Sequence, residues 1–492
     1  MAEAPERGRL KRLFKNTAIY GFGDIAIKLT TAFLAPIYTV LLAPEEFGIW
    51  SLGVMAITGL SFLYNPALHG AVNRFYYDHE NDEVAKRRFQ STINTFLLSW
   101  GLVLTGVLWV TGPWIFDQLF EGMPFDPYGS IIVWVAFFNI FSVVPKATWT
   151  AAERSKAFVG INMLASGVNV FGALAFLVLA KVGVIGLFWA KLMSVIIVSW
   201  PCGKFIWKNI GIGFNLSDMV AAFRFSLPLV PHLVAHWGLS MADRFILEHF
   251  LGMVAVGIYG SAYVFTEAVS LVANSMNRAF VPLFNRFYDK EEERPFIGRS
   301  ITYFMLAVGS ASGVLTVFAP TIVRHLYSDR YAEAGTVASI LAVGGFFLGL
   351  YLVYVAGLFY YKRNNTIPVI TVFAGTVNIV LNILWIPTMG IAGAAWATLI
   401  GYMVLVLGVR WACRRVTKLP FETGRLGSFF AVLFVLVAMG VWVDGRLGPM
   451  VEIPLKLGLM LSGPPLLHLL GFWSEEELEW FRQKIRRVFK RS

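Results

Sequence analysis

Chemistry in this chain would fall to ionisable side chains set inside apolar runs. The first run holds Asp24 and Lys28 at i and i+4, a spacing that puts both on one helix face, able to pair. A later stretch, 225–291, joins two apolar runs at a short turn, Phe250 to Val254. In or beside it stand Arg224, His232, His236, Asp243, Arg244, Glu248, Glu267 and Arg278. A charge at the centre of a membrane helix costs roughly 2.5–3.5 kcal/mol, so such groups usually face protein or a watery cavity. Lys28, Arg224 and Arg278 are the cations placed to hold an anionic head group, with Asp24 positioning Lys28. The bland alternative for the Asp24–Lys28 pair is packing. His232 and His236, again at i and i+4, read as cavity-lining donors or as satisfied packing histidines. No third ligand stands at a zinc spacing, so no metal is expected. Asp243, Arg244 and Glu248 crowd one end of their helix, as a gate that closes by ion pairing or as an interfacial charge cluster. Glu267 lies deeper without a local cation and is the better candidate for proton or cation coupling. Arg74 and Arg286 sit near helix ends, where most arginines anchor orientation; the alternative is contact with substrate around an inner vestibule. Signatures such as GxxxxGK(S/T), GxSxG, HExxH and DDxxD-like clusters do not occur, which removes the enzyme classes built on them.

The elements that must position these groups are membrane helices. Hydrophobic residues make up 57% of the chain and charged residues 14%, against about 25% charged in soluble domains. The net charge of +11 is spread over short loops on one side, so it does not indicate nucleic acid. Cys202 and Cys413 are read as unpaired thiols. The basic start, Arg7 to Lys15, precedes an apolar run too long for a cleavable leader.

Apolar runs predict an all-α polytopic protein of fourteen spans, near 17–42, 47–72, 91–113, 129–150, 158–180, 184–206, 222–249, 254–282, 298–323, 334–360, 366–386, 391–413, 427–445 and 453–472. Alternate loops carry most of the 41 Lys and Arg, which by the positive-inside rule puts both termini in the cytoplasm. The outer connections are short and leave no room for a catalytic domain. After Ser474 a capping box opens a basic amphipathic segment, 473–492, expected to lie on the inner membrane surface.

The chain also repeats. Leu42–Ser51 lines up with Leu251–Gly260, Asn73–Tyr76 with Asn285–Tyr288, and 182–190 with 389–397. Arg74 and Arg286 are therefore mates, as are Asn169 and Asn378, while Lys191 stands where the second copy has Thr398. Parallel repeats of this kind mark transporters with a site between the halves. The expected division is a first lobe at 1–206, a linker at 207–221, a second lobe at 222–413, an additional helix pair at 414–472 and the surface helix.

The phrases LLAPEEFGIW, ADRFILEHFLGMVAVGIYGSA and GIAGAAWAT, set in two six-span lobes, resemble the Wzx-type polysaccharide or lipid-linked oligosaccharide flippases of the multidrug/oligosaccharidyl-lipid/polysaccharide exporter superfamily. The resemblance implies a bacterial inner-membrane protein that flips a polyprenyl-diphosphate-linked oligosaccharide, as in O-antigen export, by alternating access. It implies a groove for the lipid tail at spans 13 and 14, and a span 8 acid at Glu267. The arginine of that pattern is Val264 here. A sodium site of spans 11 and 12 falls on Asn378, Asn382 and Thr398, with Asn382 in place of an acid. On this reading no cofactor is needed beyond a coupling Na+ or H+. Membrane lipids and polysaccharide polymerase or assembly proteins are the expected partners, and the chain acts as a monomer. The competing readings are a cation-coupled multidrug antiporter of the same superfamily and a membrane oligosaccharide ligase or polymerase.

Overall fold

The computed structural model describes residues 33–79, 82–363, 365–475 and 477–479, with Gly23 and Thr30 besides. Asp24 and Lys28 lie outside the described residues, as does nearly all of the basic C-terminal segment. What is described is helical throughout, with no strand among those residues. The chain is a multi-pass membrane protein: eleven helical stretches among the described residues are long and apolar enough to cross a bilayer.

Local chemistry explains where this number departs from the fourteen expected spans. Of span 1, only 33–42 with Gly23 and Thr30 is described. Spans 7 and 8 form one stretch, Leu216–Phe287, folded back at Gly252, whose φ of 78° and ψ of 179° suit only glycine. Span 14 is two short helices, Pro449–Leu461 and Gly463–Leu469, because Pro464 and Pro465 cannot donate the hydrogen bonds that would continue the first. Span 2, expected to reach 72, stops at Tyr64. Asn65 precedes Pro66 and leaves the helical region (φ −137°, ψ 85°), which proline disfavours for the residue before it. Its Oδ1 then accepts from the Leu68 amide at 3.0 Å and starts the helix Leu68–Asp78. Span 6 runs on to Ile210 and ends at Gly211 (φ 81°). The loop to Leu216 is clamped to the base of span 3, Glu83–Leu119, where Arg87 donates to the Ile210 carbonyl and Arg88 to Asp218, at 2.9 and 2.8 Å.

In the first lobe, Pro44–Tyr64 packs on the 125–151 stretch and 155–179 on 185–210. In the second, the 230–287 hairpin lies against 294–326, 334–360 and 366–389. Span 13, Thr423–Val443, covers span 9. The lobes are joined chiefly by Pro44–Tyr64 against the hairpin. There Gly48 and Gly257, mates in the repeat, touch. A Cβ on Gly48 would stand 2.2 Å from the Met253 carbonyl oxygen, and one on Gly257 1.8 Å from that of Pro44. Pro44 and Met253 are themselves mates, so each lobe offers the other the same atoms. In lipid no hydrophobic force draws helices together, and close packing at small residues supplies the contact instead. One continuous core runs through both lobes at this end, with Leu42, Phe47 and Leu52 against Val256, Tyr259 and Tyr331. The hairpin-turn end of the molecule is therefore shut.

Candidate functional site

One turn along from the glycine contact, Ser51 faces Gly260, where a Cβ would meet Ser51 Oγ at 2.5 Å. Arg244 reaches this seam from span 7. Its Nε donates to Ser51 Oγ at 2.9 Å, joining the lobes, and its Nη1 donates to the Ser240 carbonyl at 3.0 Å and to Asp243 Oδ1 at 3.1 Å. The guanidinium carbon stands 4.5 Å from the centroid of the Tyr263 ring, within cation–π range. Successive helical side chains diverge by about 100°, so Asp243 points the other way, into the second lobe. It is wholly buried. Its Oδ2 accepts from the Tyr259 hydroxyl and, at 3.3 Å, from Thr398. Tyr263 and Tyr402 share a hydroxyl contact of 2.8 Å beside it.

Arg244 and Glu267 line a cavity of about 730 Å³ between the lobes, with Tyr38, Trp50, Val54 and Leu315 among its walls. The described walls are mostly apolar, and Arg244 is the cation on them. Arg278 is not on them: it lies eleven residues past Glu267, three turns and about 16.5 Å further along the helix, and is half-buried there. Arg224 is exposed, some twenty residues, or roughly 30 Å, from Arg244. Because the chain folds back at Gly252, Arg224 and Arg278 both lie toward the end of the hairpin away from its turn, and Arg244 lies nearer the turn.

The remaining candidates fall into three groups. Arg74 and Arg286 are exposed at helix ends, Arg74 paired with Asp78 at 3.3 Å and Arg286 lying over Phe287. His232 and His236 are half-buried with ring centroids 6.4 Å apart; His236 meets Ser240 Oγ at 3.4 Å, whereas His232 Nδ1 has no hydrogen-bond partner. Asn378 and Asn382 sit together, both fully buried, the Asn382 amide donating to the Asn378 carbonyl at 2.9 Å and to its Oδ1 at 3.2 Å. Asn378 Nδ2 and Asn382 Oδ1 are left unpaired, while Thr398 is committed to Asp243 and Tyr259. Glu248 does not join the Asp243–Arg244 pair. It accepts from the Gly122 amide at 2.9 Å and ties the loop after span 3 to the hairpin. Sequence reasoning missed the hydroxyls of Ser51, Tyr259, Tyr263 and Tyr402; the one available signal was that Tyr259 is the mate of Trp50.

The family profile described as polysaccharide biosynthesis protein matches residues 37–335. The chain is similar to the Lsg locus putative protein 1 of Haemophilus influenzae, 18% identical over 78% of this chain and 95% of that protein. It is also similar to the probable low-salt glycan biosynthesis flippase Agl15 of Haloferax volcanii, 26% identical over 37% of this chain and 39% of that one. A match to an uncharacterized membrane protein of Methanocaldococcus jannaschii likewise covers 37% of each chain, at 25% identity, so the chain spans under two-fifths of the length of some curated relatives it matches. Among solved structures, the lipid II flippase MurJ in an inward closed conformation superposes with a TM-score of 0.75 over 95% of this chain and all of that one, at 13% identity. An inward-facing multidrug resistance MATE transporter of the MOP superfamily gives 0.63 over 80% of this chain, at 15% identity. These likenesses show the fold.

Proposed function

Because the chain belongs to the polysaccharide biosynthesis protein family, we propose that it is a flippase that carries a polyprenyl-diphosphate-linked oligosaccharide from the cytoplasmic to the outer leaflet of the bacterial inner membrane. The observation that carries this reading is Arg244: a buried cation that bonds across a closed seam and also faces the interlobe cavity. Both termini lie in the cytoplasm, so the shut hairpin-turn end faces outward. The head group enters from the inner side, and the lipid tail stays in the bilayer. A diphosphate competes with Ser51 and Asp243 for the Arg244 guanidinium, since charge-assisted bonds to phosphate are stronger than one to a neutral hydroxyl. Losing the Ser51 bond releases the lobes to part at Gly48 and Gly257. Arg224 and Arg278 supply earlier positions for the same charge along the hairpin. Asp243 and Glu267, with a cation at Asn378 and Asn382, are the groups that would couple the cycle to H+ or Na+. The name of the Haloferax relative, a glycan biosynthesis flippase, supports this class.

The test is translocation in liposomes of a fluorescent polyprenyl-diphosphate glycan, read by its loss of access to a membrane-impermeant quencher. Passage of the glycan lipid that stops in Arg244→Ala is the expected result. Efflux of cationic drugs without any glycan-lipid movement would instead establish the antiporter that the MATE-like fold also accommodates.

A further inference from the structure

A second cavity, about 470 Å³, lies inside the first lobe between spans 4, 5 and 6. Its walls differ in kind from those of the interlobe cavity. Lys146 and Lys191 line it together with Asn162, Asn169, Ser166 and Ser194, and no Asp or Glu is on the described walls. Neither lysine side chain has an ion pair or hydrogen bond among the described residues. Both side chains reach the same cavity, one from span 4 and the other from span 6. Asn169 Oδ1 is buried without a partner among the described residues.

Two like charges half-buried in a membrane domain, with no counter-charge among the described residues and ringed by unspent amide and hydroxyl groups, describe half of a binding site. Charges withdrawn even in part from water are normally paired, so the half that completes the site is an anion. The amides and hydroxyls match neutral hydroxyls, which an inorganic ion lacks. The volume falls within the range of small-molecule sites, roughly 300–1,000 Å³. We propose that this pocket binds an anionic sugar, one bearing a carboxylate or a phosphate, with Lys146 and Lys191 on the charged group and the asparagines and serines on the ring hydroxyls. The sugar can arrive free or as a residue of a lipid-linked glycan; the second source rests on the flippase reading, the first does not. In the second lobe the mate of Lys191 is Thr398, which is bonded to a buried carboxylate instead. The cation at this position of the repeat therefore belongs to the first lobe.

The full chain in lipid nanodiscs is titrated with glucuronate, glucose 1-phosphate, glucose and inorganic phosphate, and binding is read by calorimetry and by the thermal midpoint. At least one of the two anionic sugars is expected to bind saturably, at least tenfold more tightly than glucose and than inorganic phosphate. Lys146→Gln and Lys191→Gln are each expected to weaken it tenfold or more. Should either variant fail to fold, Ser166→Ala and Asn162→Ala report the same site by several-fold losses. Equal binding of glucose, or of inorganic phosphate, overturns the proposal, as does selective binding unchanged in all these variants. For the glycan-borne source, a lipid-linked glycan with an acidic sugar displaces labelled glucuronate and one without it does not. Selective sugar binding with no glycan translocation would sink the flippase reading and leave this site; translocation without selective sugar binding would do the reverse.

Discussion

Arg244 leaves one lobe and donates to a hydroxyl of the other, so removing it has two separable effects. Arg244→Ala deprives the wholly buried Asp243 of its cation, and breaking a buried pair from one side costs about 3–5 kcal/mol. It also removes the group that would meet a diphosphate. The pair of substitutions Asp243→Asn with Arg244→Gln removes both charges at once and is expected to recover most of that stability without recovering translocation. Thermal unfolding of detergent-purified protein and the liposome assay, run side by side, check the two halves. Stability that fails to return in the double variant would mean that Tyr259 and Thr398, rather than the arginine, hold Asp243. Transport that returns would take Arg244 out of the mechanism.

Whole elements are pinned by charge at their ends. In the helix pair after span 12, Lys456 is fully buried and donates to Asp444, Glu452 and Thr321 at 2.6–2.8 Å, while Arg324 of span 9 reaches the same two carboxylates. Lys456→Met is expected to loosen this pair from span 9 and speed proteolytic cleavage near 445–448; an unchanged cleavage rate would show that apolar packing alone seats it. On the far side of span 13, Glu477 accepts from the Ser474 amide at 2.7 Å and the Ser474 hydroxyl accepts in return from the Glu477 amide at 3.3 Å, the reciprocal cap legible in the sequence. Burial alone would raise the Glu477 carboxyl, but the Tyr303 hydroxyl, the Ser474 amide and the Arg425 guanidinium together hold it below the usual carboxylate value. A carboxylate depressed in the folded state stabilises above its unfolded pKa and loses that contribution as pH falls through the folded one. Docking of Ser474 and Glu477 is therefore complete at pH 7 and weakens below about pH 4. Hydrogen exchange of these amides, corrected for intrinsic rate, should show protection at pH 7 that declines at pH 3.5.

For the molecule as a whole the seam decides which side is open. A methyl on Gly48 meets a carbonyl oxygen, which cannot swing aside as a side chain can. Gly48→Ala is therefore expected to disfavour the shut hairpin-turn end and to raise, at least several-fold, the labelling of a cysteine at Val54 by a maleimide applied from that side. Cys202 and Cys413, both buried, give a quiet background. Labelling that stays slow would place the barrier elsewhere. The hairpins and this glycine pair were legible because duplication leaves a record along the chain: Leu42–Ser51 and Leu251–Gly260 can be laid side by side. The tyrosine shell of Asp243 was not, since Tyr402 and Thr398 stand more than 150 residues away and nothing in an apolar run says which face turns inward. Lys191 was visible but undirected for the same reason. Identical atoms meeting across a pseudo-dyad are what an isologous interface between two copies of one subunit presents. The joint between the lobes therefore has the form of a homodimer interface made within a single polypeptide.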